Sequence, residues 1–171
     1  MKILLLATLA LLSPSLSHAI NGDTRYAVSG PIDLVDGNAF WGANFKVGYK
    51  LTKDWTVGGG TGFFYWHKNY DTSSLSSTQW FIPLTPEGYY NFDAGLANFH
   101  PYLGLGLGVA IIHSSIGSPS GIQGVSDTSV KLDGMLHIGA RLGAEQQFFF
   151  EIGLGILDDN FQFAPNIGWI F

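Results

Sequence analysis

Between residues 161 and 171 the chain alternates with a period of two. Phe161, Phe163, Pro165, Ile167, Trp169 and Phe171 fall on one face, and Gln162, Ala164, Asn166, Gly168 and Ile170 on the other. Successive side chains of a strand point to opposite faces, so this is a strand with one large apolar face and one small or polar face. In water such a strand would invite edge pairing and aggregation. The conflict vanishes if the apolar face meets lipid and both edges are paired. A closed barrel in a membrane meets both conditions.

The same alternation recurs upstream. It predicts strands over 39–51, 55–67, 77–92, 99–113, 129–144 and 148–157, besides the last. In the 99–113 segment Leu103, Leu105, Leu107, Val109 and Ile111 oppose Tyr102, Gly104, Gly106, Gly108 and Ala110. The 24–32 segment carries the weakest pattern and is ended by Pro31 and Asp36-Gly37-Asn38. Membrane barrels hold an even number of strands, and that parity makes 24–32 the eighth. Tight connections are expected at 52–54, 93–98 and 145–147, and longer polar loops at 68–76 and 114–128. The expected fold is all-β, an antiparallel up-and-down eight-stranded transmembrane β-barrel. No apolar run outside the N-terminal segment is long enough for a membrane helix.

Alternation alone does not say which face is inside. A soluble ligand-binding barrel in the periplasm would alternate too, with its aliphatic rows inward. The glycines decide. Gly58, Gly60 and Gly62, Gly104, Gly106 and Gly108, and Gly153 and Gly155 share parity with the polar residues. Rows of bare glycine make a poor solvent-facing surface but suit the lumen of a small barrel, where they leave room for large side chains from other strands. Lys131, Asp133, His137, Arg141 and Glu151 lie on this same side and are expected to form an interior charge network, with Arg141 and Glu151 as its first pair. Aromatic residues gather at both ends of the apolar rows: Tyr49, Trp55, Phe92, Phe148, Trp169 and Phe171 at one end, and Trp41, Tyr65, Trp80 and Phe161 at the other. Two such girdles mark the two membrane interfaces. An eight-stranded lumen is just wide enough for side chains to fill, so no open pore is expected.

Met1-Lys2, the apolar run 3–12 and the small residues of Ser17-His18-Ala19 predict a secretory signal peptide, residues 1–19, followed by a barrel domain over 20–171. The chain has no cysteine, so no disulfide is expected. Thirteen acidic residues outweigh eight basic ones, which argues against a nucleic-acid partner. His67, His100, His113 and His137 show no metal-ligand spacing, and no metal or cofactor is expected. Gly104-x-Gly106-x-Gly108 has strand periodicity and no following helix, so it is not a phosphate loop.

Ile167, Trp169 and the terminal Phe171 resemble the C-terminal signature of bacterial outer-membrane β-barrels. Pro101-Tyr102-Leu103-Gly104-Leu105-Gly106-Leu107-Gly108 is similar to a middle strand of the small OmpA-like and opacity-protein barrels. The resemblance implies that the barrel-assembly machinery reads Ile167, Trp169 and Phe171, and that the protein resides in the outer membrane of a Gram-negative bacterium among lipids and lipopolysaccharide. It further implies a structural or surface-interaction role, with loops 68–76 and 114–128 meeting an unknown surface ligand. His113-Ser114-Ser115 also resembles the His-x-Ser-Asn signature of outer-membrane lipid A deacylases. There His113 would activate Ser115, but Ile116 stands in place of the Asn, and that family's signature falls on a later strand. The deacylase-like reading is the enzymatic alternative.

Overall fold

Asp36 and Gly37 have positive φ, 47° and 76°, and so do Asp158 and Asp159, 50° and 65°. Both pairs are two-residue hairpin turns of the kind whose twist matches the flanking strands, and Asp and Gly tolerate that conformation well. The structure, a computed structural model, describes residues 24–70, 75–117, 124–143 and 145–171. The expected signal peptide lies outside the described residues. Among the described residues nine strand segments are formed: β1 Thr24–Ser29, β2 Ile32–Val35, β3 Asn38–Lys50, β4 Trp55–Tyr70, β5 Leu75–Asn91, β6 Phe99–Gly117, β7 Val125–Leu142, β8 Phe148–Leu157 and β9 Asn160–Ile170.

β1 and β2 are two halves of one barrel strand. Ser29 faces Asn44 and Ile32 faces Trp41, which is one unbroken register on β3. The register on β9 is unbroken as well, from Ser29 opposite Gly168 to Leu34 opposite Phe163. The interruption is Gly30-Pro31, and Pro31 has no N–H to give to the ladder. The first strand therefore continues past the expected residue 32 to Val35. Eight barrel strands result, each antiparallel to its neighbours, and the first closes on the last.

The closure has a measurable stagger. From Leu34 the register passes to Phe163, Leu154, Leu136, Leu105, Gly88, Val57, Tyr49 and back to the first strand at Thr24. The circuit ends ten residues from where it began. Eight strands with that shear tilt by roughly 40° to the barrel axis.

The circuit residues are mostly aliphatic and lie on the outside. Leu105, Leu136 and Ile167 are 54%, 38% and 73% exposed, while Asp33, His137 and Glu151 are 2%, 5% and 4% exposed. Leu103, Leu136 and Ile152 do not meet in a dry centre. The soluble arrangement is thereby overturned, because ionisable side chains occupy the lumen and the aliphatic rows form the outer wall. On β5, Trp80 and Tyr90 are ten residues apart, as are Trp55 and Tyr65 on β4. At the tilt above, that separation is about 25 Å along the axis, the height of a lipid-facing band.

Among the described residues, both flanks of the expected loops 68–76 and 114–128 are strand. β4 and β5 run on to Tyr70 opposite Leu75, and β6 and β7 to Ile116 opposite Val125. β4 to β7 are 16, 17, 19 and 18 residues long, against 10 and 11 for β8 and β9. Hydrogen bonding across each hairpin continues through the Ser- and Thr-rich stretches, whose polarity reads as loop only when pairing is ignored. One side of the barrel thus stands above the other as a four-stranded wall, roughly 15 Å tall.

Candidate functional site

The lumen is layered. At the end bearing the 36–37 and 158–159 turns, Phe40, Phe64, Phe81, Val35, Ala110 and Leu157 form an apolar cluster. Phe64 stacks on Phe81 with centroids 4.5 Å apart, and Phe40 meets Phe81 edge-on at 5.2 Å. Glycines make this packing possible: a Cβ on Gly42 would press on the Phe64 ring. The cluster acts as a plug. The lumen below it holds two small cavities of about 50 and 60 Å³. Planar-bilayer recordings are expected to show no steady open conductance, and a large stable pore would mean that the aromatic layer fails to close the lumen.

Below the plug, four strands meet in a ring of charge. Lys46 Nζ lies 3.0 Å from Glu151 and 3.4 Å from Glu87, and it donates to the Tyr89 hydroxyl at 2.9 Å. Tyr89 in turn donates to Glu87, and Tyr102 donates to Glu151 at 2.9 Å. His137 stands between the two carboxylates, with Nδ1 3.0 Å from Glu151 and Nε2 3.5 Å from Glu87. Neither ring nitrogen has an aligned hydrogen-bond partner among the described residues. A buried ion pair is tolerable only when its remaining donors and acceptors are met, and the two tyrosines supply that.

The expected network residues separate. His137 and Glu151 join the ring, whereas Asp133 takes the Thr85 hydroxyl at 2.9 Å. Lys131 pairs with Asp158 at 3.0 Å at the half-exposed rim, outside the lumen. Arg141 is not the partner expected for Glu151. It donates to Asn91 and lies 4.8 Å over the Tyr102 ring. The cation of the ring is Lys46, which the sequence places on the lumen face without singling it out. Glu87 and Tyr89 share that parity, but Pro83 and Pro86 blur it. Asp33 is buried against Gln162 at 2.5 Å, and it falls beyond the expected end of the first strand.

Ile167, Trp169 and Phe171 all point outward at the seam. Trp169 packs edge-on against Phe148 at 4.0 Å, and the Phe171 amide donates to the Tyr26 carbonyl at 2.8 Å. His113 and Ser115 lie on the outer face of the raised wall. His113 Nδ1 is engaged by Thr128 Oγ1 at 2.8 Å, and its ring stacks on Trp80 at 5.1 Å. No hydrogen bond joins His113 to Ser115 among the described residues, and these contain no group of three His, Cys, Asp or Glu side chains arranged for a metal.

Among the described residues the wall has two free edges. β3 pairs with β4 only as far as Tyr65, which leaves Trp66–Tyr70 open. β8 pairs with β7 only as far as Asp133, and the Asp158 amide caps the Leu132 carbonyl at 3.2 Å. N–H and C=O of one residue point the same way along an antiparallel ladder. Residues 130, 128 and 126 therefore turn their backbone groups toward the open edge. On the wall's inner face, Tyr70, Leu75, Ile116 and Val125 are exposed from four adjacent strands.

No protein-family model and no curated protein sequence matches the chain. Solved structures do. The attachment invasion locus protein Ail of Yersinia pestis matches with a TM-score of 0.59 at 17% identity, covering 86% of this chain and 97% of that one. Neisserial surface protein A matches at 0.54 and 14%, over 86% and 94%. The N-terminal β-barrel domain of Pseudomonas aeruginosa OprF matches at 0.51 and 14%, over 86% and 97%. The fold is that of the small eight-stranded outer-membrane β-barrels.

Proposed function

We propose that this chain is an exported, integral outer-membrane barrel whose work is surface recognition by the raised β4–β7 wall. The single observation behind this reading is that four strands outrun the lipid band and end in an unpaired β7 edge beside an apolar inner face. An extended polypeptide can add to such an edge through backbone hydrogen bonds, with pockets for alternate side chains supplying selectivity. The tip residues Tyr70, Leu75, Ile116 and Val125 would receive apolar side chains of the added strand. Ile167, Trp169 and Phe171 serve as the assembly signal, the girdles meet lipid and lipopolysaccharide, and residues 1–19 act as the export signal. In this reading the wall stands outside the cell and Phe171 lies at the periplasmic side.

The deciding experiment uses the barrel in nanodiscs and a displayed peptide library. Peptides with alternating apolar residues should be enriched, and Val130→Pro should lose them. Proline at 130 removes one donor from the open edge and none from the β6 ladder, so the barrel survives. Failure to enrich any peptide, or equal binding to the proline variant, would sink the proposal. The acyl-hydrolase alternative is not adopted, because His113 is committed to Thr128 and Trp80. Lipid A of cells overexpressing the protein should keep its mass spectrum.

A further inference from the structure

The raised wall covers half of the barrel's circumference. β4 to β7 stand above the lipid band, and the other four barrel strands stop at the 36–37 and 158–159 turns. Above those turns is a notch four strands wide, bounded by the open edges of β4 and β7. A four-stranded antiparallel sheet with two open edges of its own would fill it, and the wall is such a sheet. A copy turned over by a two-fold axis across the barrel lowers its wall into this notch, and the first wall fills the notch of the copy. β7 then runs antiparallel to β7 of the copy, and β4 to β4 of the copy. The two walls close into one eight-stranded cylinder.

Charge selects the register of the β7 joint. Asp127 and Lys131 lie on the inner face of β7, on either side of Ser129. Asp127 is exposed and makes no ion pair among the described residues. The Lys131 side chain is 38% exposed beside Asp158 and has donors to spare. A two-fold axis at Ser129 sets each Asp127 opposite the Lys131 of the other chain, a favourable cross-strand pair made twice. The same axis sets Thr128 opposite Val130 of the other chain. Both turn their backbone groups to the open edge, so each such pair exchanges two N–H···O bonds. The β4 joint must lie level with the β7 joint. The register carries Ser129 to Ile112, Phe81 and Phe64. The barrel's stagger, ten residues over eight strands, is about five over the four strand spacings between the joints. Rows descend from β7 to β4, so the level of Ser129 is met about five residues beyond Phe64, at Asn69. Asn69 lies within the open stretch Trp66–Tyr70. The axis that the charges select on one edge thus emerges on the other. At Asn69 it sets Tyr70 opposite Lys68 of the other chain, a pair that already makes a cation–π contact of 5.3 Å within one chain.

We infer, resting on the reading of the wall as a recognition surface, that its partner is a second copy of this chain, standing in an apposed membrane with the two walls interlocked. The joined cylinder pairs the open edges of β4 and β7 in both copies, and closure is what removes the hazard of a bare edge. Tyr70, Leu75, Ile116 and Val125, 41%, 38%, 53% and 72% exposed in one chain, turn into the shared interior and leave water. Two copies in one bilayer do not fit the same edge. An axis along the membrane normal sets the β7 strands parallel, with Asp127 beside Asp127, and like charges directly opposed are destabilising.

The test places the full barrel in phospholipid nanodiscs, one chain per disc, and follows sedimentation as the concentration rises through the micromolar range. Wild-type discs should pair and double in mass. Asp127→Lys discs and Lys131→Asp discs should each stay single, because each change sets like charges against one another at both ends of the β7 joint. A mixture of the two variants should pair, since every contact across that joint is then between opposite charges. Asp158→Asn, which removes the partner of Lys131 within the chain, should leave pairing unchanged. The chain has no cysteine, so Ser129→Cys should give a disulfide that joins two discs. Wild-type discs that stay single overturn the inference. So does pairing that either charge change leaves intact, or that the mixture fails to restore. A barrel that enriches library peptides yet never pairs with itself overturns this inference alone and leaves the recognition reading standing. Loss of both peptide binding and pairing removes both.

Discussion

Lys46→Met should lower the unfolding free energy of the barrel by about 3–5 kcal/mol, the usual cost of removing one partner from a buried ion pair. The substitution keeps the length and apolar stem of the side chain. It leaves Glu87 and Glu151 facing one another with only His137 between them. It also strands the Tyr89 hydroxyl oxygen, which accepts from Lys46. Urea titration in phospholipid vesicles, followed by tryptophan fluorescence, measures the loss. A cost under about 1 kcal/mol would mean that water or rearranged tyrosines replace the ammonium. The companion experiment changes all three ions at once, Lys46→Met with Glu87→Leu and Glu151→Leu. Well-packed apolar replacement of a whole buried ion set is often neutral or better, so the triple variant should recover most of what the single one loses. If it does not, the ring contributes something beyond charge balance.

Leu105→Arg should cost about 2–4 kcal/mol, and Leu132→Arg only about 0–1 kcal/mol. Both leucines point outward from the wall, and Leu132 is the more exposed, 79% against 54%. In water the more exposed site would be the more tolerant for a trivial reason, so depth must be separated from exposure. Ile167, 73% exposed, lies between the girdles rather than at their rim. Ile167→Arg should therefore cost about as much as Leu105→Arg despite an exposure close to that of Leu132. Equal tolerance at all three positions would remove the lipid from the picture.

The period-two pattern carried most of this architecture. It is a strong signal here because lipid demands large apolar residues on one face while a narrow lumen demands small or polar ones on the other. β6 and β9 are legible from that contrast alone. Past the lipid band the contrast disappears. His67, Thr78, Ser115 and Thr128 sit on the outer face of strands whose inner face is also partly polar, so nothing in their composition distinguishes wall from loop. Backbone pairing, which side-chain pattern does not record, keeps them extended. The first strand was obscured differently, because Pro31 breaks its ladder without bending its path. Within the lumen, parity tells which residues face inward but not which of them touch. The stagger of the barrel brings Lys46 to Glu151 across 105 positions of sequence, while Arg141, on the strand next to Glu151, is drawn to Asn91 and the face of Tyr102. That choice depends on relative height around a tilted cylinder.

The two prolines flanking the joint between the first and last strands leave it unequally stitched. Gly30 donates to Ile167, and Asp36 to Phe161, so on β9 the odd-numbered residues turn toward the first strand. Pro165 is one of these and has no hydrogen to offer. Pro31, facing the other way, withholds a hydrogen from β3. The opening strand of the cylinder is thus the one least tied to both neighbours. It should be the last to be fastened when the chain enters a bilayer and the first to exchange its amides for deuterium. A stave loosened on both sides is where such a cask parts.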